Sequence, residues 1–72
     1  MDLSRALRMS MAQMSLTQAE LSRRSGVTRL TISNIRHGKA NPSVLIIDKL
    51  AKACGLTVIE FLQMGEDRPK WY

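Results

Sequence analysis

Arg29 and Asn34 stand five positions apart in this 72-residue chain, in a segment whose outward residues are polar or cationic. Their side chains suit base edges: a guanidinium can be bidentate to guanine, and a primary amide can be bidentate to adenine. Thr28, Thr31 and Ser33 add hydroxyls beside them, and Leu30 offers an apolar contact for a thymine methyl, with burial against a neighbouring helix as its alternative. From Leu16 to Lys39 the cations Arg23, Arg24, Arg29, Arg36 and Lys39 face a single acid, Glu20. This is chemistry for bases and phosphates rather than the Glu/Lys mix of an ordinary solvated helix. Catalysis has little to work with. Glu20 is taken up as a helix cap, the lone His37 has no carboxylate nearby to orient it, and no nucleophile has an activating neighbour, so the chain reads as no enzyme. His37 has no Cys or carboxylate at ligand spacing, so neither a metal nor another cofactor is expected. Cys54 is the one cysteine and reads as a small buried hydrophobe without an internal disulfide.

Such side chains need a rigid support, and the flanking residues supply one. Thr17 with Glu20 three residues on is a capping box, which predicts a helix beginning at Gln18. Gly26 offers the positive φ that ends a helix without a Cβ penalty. Only Val27 separates it from Thr28, a second N-cap, after which Ile32 and Ile35 mark one buried stripe and Gly38 closes the helix. Two short helices joined by one tight turn, with nearly all their charge positive, predict insertion into DNA.

The rest of the chain reads as three more helices. One runs from Asp2 or Ser4 to Met14 with Leu3, Leu7, Met11 and Met14 on one stripe. Another starts near Ser43 after Pro42, buries Val44, Ile47, Leu50, Ala51 and Cys54, and ends at Gly55. In the last, Thr57 and Glu60 form a second capping box, Val58, Phe61 and Leu62 face inward, and Gly65 ends the helix. The expected architecture is one compact, all-α, five-helix domain over residues 1–65 with a short tail at 66–72. A chain this short buries only ~60% of its unfolded surface, which leaves no room for a second module. With three aromatic residues the core must be Leu, Ile, Val and Met. No apolar run approaches the ~20 residues of a membrane span, and the N-terminus lacks an apolar signal core, so no membrane partner and a cytoplasmic, nucleoid-associated location are expected. The net charge of +5 is unevenly placed: residues 3–40 carry seven cations against Glu20, a net of +6, and residues 41–72 are neutral with four of each sign.

The run ISNIRHGK, the Asn41-Pro42-Ser43 lead-in and the Ala-Cys-Gly-Leu-Thr exit, at these spacings, resemble the lambda-repressor-like helix-turn-helix family, the phage repressor and Cro group of bacterial DNA-binding proteins. The likeness covers residues 16–39 and 41–62. It implies a helix-turn-helix at the second and third helices, with the third laid in the major groove, so that Thr28, Arg29, Leu30, Thr31, Ser33 and Asn34 meet base edges. Gln18 resembles the family's phosphate clamp at the start of the second helix, and Arg36, His37, Lys39 and Asn41 lie where members place backbone contacts. Two departures stand out. Ser25 replaces an aliphatic residue common before the turn glycine, and Ser10 replaces a Leu or Ala of the first helix; both slightly loosen the expected core without threatening the fold, because a serine can back-bond to a helix carbonyl.

Leu45, Ile46 and Ile59 do not fit the inward stripes, so part of this set should be exposed in a monomer. Because members of the family bind two-fold symmetric operators, these residues, helped by Trp71, are read as a homodimer surface, against the plainer reading of scattered surface apolar groups. The tail GEDRPKWY leaves three possibilities open: packing on its own subunit or its twin, fraying, or capture by a separate protein. The resemblance implies a sequence-specific transcriptional regulator of double-stranded DNA, a repressor by operator occlusion. Its alternatives are an antitoxin that neutralises a toxin protein while regulating its own gene, and a restriction-modification controller.

Overall fold

Among the described residues every helix starts on a side-chain oxygen. The computed structural model describes residues 2–66 as five helices: α1 (Leu3–Met14), α2 (Gln18–Ser25), α3 (Arg29–Arg36), α4 (Val44–Ala53) and α5 (Val58–Gln63). Asp2, Thr17, Thr28, Ser43 and Thr57 precede them in extended conformation, and each accepts a hydrogen bond from the amide three residues on. Each cap contributes about 1 kcal/mol. Helices this short are marginal alone, so packing must supply the rest.

α1 packs on α3 and α5, α2 on α3 and α4, and α4 on α5. The core they enclose is aliphatic around one ring. Leu7 and Met11 come from α1, Leu21 from α2, Ile32 and Ile35 from α3, Leu50, Ala51 and Cys54 from the α4 region, and Phe61 from α5. Leu16 and Val27 join them from the two connections that flank α2. Burial pushes the Cys54 thiol above its ordinary pKa, with Arg24 opposing weakly, as fits a packing residue.

Four details depart from the sequence reading. Met14 is 42% exposed rather than part of the core stripe, because the chain reverses at Ser15 (φ 54°) and Leu16 enters the core instead. Val44, expected inside, is 74% exposed. On a wheel of about 100° per residue it lies roughly 80° from the centre of the Ile47, Leu50 and Cys54 stripe, on the side that carries Asp48 and Lys52. Ser10 is fully buried, and its hydroxyl has no hydrogen-bond partner among the described residues, so the back-bond open to a serine is not made here. Gly65 follows α5 as expected but without a left-handed φ. Its requirement is space, since a Cβ there would collide with the Asp2 carbonyl at the start of α1. Leu3, Ile47, Val58 and Leu62 are half-buried.

Candidate nucleic-acid interface

The turn between α2 and α3 is held by serines and one buried aliphatic. Gly26 takes φ 77° and returns its N–H to the Ser22 carbonyl, so the chain leaves α2 sharply. The Ser25 hydroxyl donates to the Leu21 carbonyl at 2.6 Å and accepts from the Val27 N–H at 3.1 Å, which makes the back-bond open to a serine and pins the residue after the turn. The Ser22 hydroxyl donates to the Val27 carbonyl at 2.6 Å. With Val27 buried, the angle between the two helices is fixed by hydrogen bonds on one side and packing on the other. Two residues on, Thr28 caps α3 through the Thr31 N–H, and its hydroxyl also donates to the Thr31 hydroxyl at 2.9 Å.

Burial of Ile32 and Ile35 turns the other faces of α3 outward. Arg29 and Leu30 are exposed, Leu30 at 71%, so the alternative of burial for this leucine is not realised. Thr31, Ser33 and Asn34 are half-buried beside them. At the far end of the helix His37, Lys39 and Asn41 are exposed. His37 Nδ1 lies 2.7 Å from the Ser33 carbonyl, which can only accept, so this nitrogen carries the proton. The Lys39 N–H donates to the Asn34 carbonyl at 2.8 Å and closes the helix end.

Gln18 and Arg36, eighteen positions apart, meet: Arg36 Nη1 donates to Gln18 Oε1 at 2.6 Å. They line a groove of about 310 Å³ with Arg8, Met11, Ala12, Leu16 and Thr17. The Ser4 hydroxyl of α1 donates to the Arg36 carbonyl and ties down the end of α3. Neither contact is suggested by sequence spacing, because both join separate helices. The one acid between Leu16 and Lys39 is already engaged. Glu20 accepts from the Thr17 N–H and from the Thr17 hydroxyl, each at 3.1 Å, and these bonds, with smaller help from Arg24 and Arg23, hold its carboxyl below the usual value. Glu20 thus stays ionised in the cap, and the positive field of this segment comes from the arginines that outnumber it.

A helix-turn-helix family model matches residues 3–61, which takes in all of α1 to α4 and most of α5. The chain belongs to the lambda-repressor-like helix-turn-helix family. It is similar to an HTH-type transcriptional regulator of Sinorhizobium fredii, 33% identical over 75% of this chain and 70% of that protein. It is also similar to an HTH-type transcriptional regulator of Methanothermobacter thermautotrophicus, 42% identical over 67% of this chain and 70% of that one.

Apolar side chains are also exposed on the helices that follow the helix-turn-helix of this family member. Leu45 is 62% exposed and Ile59 69%, and Val44, which sequence patterning placed in the core, joins them as an exposed apolar side chain. Ile46 is half-buried against the core. Trp71, grouped with them from the sequence, lies outside the described residues, as does nearly all of the tail. Among the described residues no helix is long and apolar enough to cross a membrane, and no group of three His, Cys, Asp or Glu side chains is arranged to hold a metal.

Proposed function

We propose that this chain is a DNA-binding transcriptional regulator that acts as a homodimer on a two-fold symmetric operator and represses by occluding it. The reading is carried by the outward face of α3: Arg29, Leu30, Ser33 and Asn34 turned away from Ile32 and Ile35, in a segment, Leu16 to Lys39, whose single acid is bound into its own helix cap. The names of its relatives as HTH-type transcriptional regulators agree with it. In this reading α3 enters the major groove, with Arg29 on guanine, Asn34 on adenine, Leu30 on a thymine methyl, and Thr28, Thr31 and Ser33 beside them. Gln18 at the start of α2 meets a phosphate with the help of the helix dipole, Arg36 lies beside it at the end of α3, and His37, Lys39 and Asn41 follow the backbone past that end. Leu45, Ile46 and Ile59, with Val44, supply the surface on which a second copy sets the recognition helices about one DNA turn apart.

The test is the salt dependence of binding to duplex DNA. If a dimer neutralises roughly 6–10 phosphates, log affinity falls against log salt with a slope of about −5 to −9. A slope near zero ends the proposal.

A further inference from the structure

Arg36 does not project from α3 as Arg29 does. It is half-buried, its Nη1 donates to Gln18 Oε1, its Nε is buried without a hydrogen-bond partner among the described residues, and its own carbonyl is held by Ser4 of α1. This geometry bears on how Gln18 can act. A carboxamide has one oxygen that accepts and one nitrogen that donates two hydrogens. With its oxygen against a guanidinium, what the amide turns toward an anion is its N–H groups, and the reversed orientation would set donor against donor. Because the amide is planar, fixing Oε1 also fixes the direction of Nε2. Without that anchor Gln18 would sample several rotamers and lose their entropy on binding.

We propose that Arg36 is a positioning residue: it holds the Gln18 amide with its N–H groups presented to a DNA phosphate, and so ties the backbone grip of α2 to the end of the recognition helix. This rests on the DNA-binding reading above, and within it Arg36 acts through Gln18 rather than as an independent phosphate ligand. The pairing joins the start of α2 to the end of α3, so a shift of the recognition helix in the groove is felt by the phosphate grip as well. The cation beside the amide oxygen also polarises the amide and strengthens its donors.

A double-mutant cycle tests the assignment. Wild type, Gln18→Ala, Arg36→Met and the double variant are titrated with a random-sequence duplex by fluorescence anisotropy at several salt concentrations, with thermal unfolding of each as a check on the fold. Gln18→Ala is expected to weaken binding about fivefold per half-site. Arg36→Met should weaken it two- to fivefold in the wild-type background and hardly at all when Gln18 is already alanine, because the effect passes through that side chain. Its salt slope should change by less than the ~0.9 per site that accompanies loss of a phosphate contact. Equal losses in both backgrounds, or a full drop in slope, would make Arg36 a direct ligand and overturn the proposal; no loss in either background would overturn it as well. Should Arg36→Met not fold, Arg36→Lys keeps the charge and the stem but lacks the planar fork, and it is read in the same cycle with the same decision. If wild type itself fails to bind the duplex, the DNA-binding reading falls first, an outcome distinct from a cycle that shows no coupling.

Discussion

The α2–α3 pair opens on Thr17 with Glu20 closing a capping box, and in the α4–α5 pair the same device recurs at Thr57 and Glu60. In each pair a glycine at φ near 75° turns the chain between the two helices, Gly26 in one and Gly55 in the other. In each, the second helix starts on a threonine, and buried aliphatic or aromatic residues hold the inner face. Their outer faces diverge. The first pair shows Arg23, Arg24 and Arg29 with Leu30; the second shows Val44, Leu45 and Ile59, with Asp48 and Lys52 neutralising each other at 3.0 Å. The same local chemistry thus builds two supports, and what each half does is written in residues that contribute little to folding.

The largest expected effect comes from merging the two kinds of surface. If Ile59 lies in a dimer interface, Ile59→Glu places an unpaired charge there on each subunit, at a cost of several kcal/mol per dimer. The protein should remain folded, sediment as a monomer, and bind an operator with little more than the affinity of one half-site. A dimeric Ile59→Glu protein with unchanged affinity would move the interface elsewhere and leave the α4–α5 surface without a role. Removing residues 66–72 adds a second reading of the same experiment, since a tail that completes the dimer would abolish tight operator binding, whereas a tail that holds another protein would leave it intact.

On the other half the expected effects are smaller and depend on sequence. Arg29→Ala and Asn34→Ala should each cost roughly 1–3 kcal/mol on the cognate site and less on random DNA, measured by competition between the two. Equal losses on both would make these residues backbone contacts, and the contrast would become one of charge against apolarity rather than of base reading against dimerisation.

Two glycines separate the halves in another way. Gly26 stands in open space, and what it needs is a left-handed φ, so Gly26→Ala should cost about 1 kcal/mol of strain. Gly65 has no such φ, but its Cα faces the Asp2 carbonyl, and Gly65→Ala must push α1 and the end of α5 apart at a cost of about 1–3 kcal/mol. Urea unfolding of both variants ranks them. If Gly26→Ala proves the more damaging, the close approach of α1 to the end of α5 is not a constraint the fold depends on.

Much of this molecule is legible in its sequence because its signals are local. Threonine or serine caps with their partners three residues on, three left-handed glycines and the Ile32 and Ile35 stripe locate the ends of helices and the inner face of α3. What escapes is long-range or sits at the edge of a pattern. Val44 has the spacing of a core residue and is exposed because it lies on the flank of the α4 stripe. The Gln18 and Arg36 pair and the Ser4 anchor join three helices, and neither has a signature in spacing. Gly65 looks like a helix stop and is a contact.

The stop at Ser15 is the local signal that is missing, and it gives the smallest prediction. Gly55 ends the α4 region at φ 73°, whereas Ser15 ends α1 at φ 54° and ψ 39° without the residue that tolerates this region. The Ser15 N–H still bonds to the Ala12 carbonyl and the Leu16 N–H to the Met11 carbonyl, so the reversal is held by the chain around it and the side chain only adds strain. Ser15→Gly removes that strain, on the order of 1–2 kcal/mol for an L residue, and returns part of the gain as the extra backbone entropy of an unfolded glycine. A net gain of about 0.5–1 kcal/mol should raise the thermal midpoint of a chain this size by roughly 2–8 °C. DNA affinity should stay as it is, since Ser15 lies before the α2 cap and outside the proposed contacts. A lower midpoint would mean that the serine hydroxyl or the stiffness of its backbone contributes more than the strain costs, and that this junction obeys a different rule from the one at Gly55.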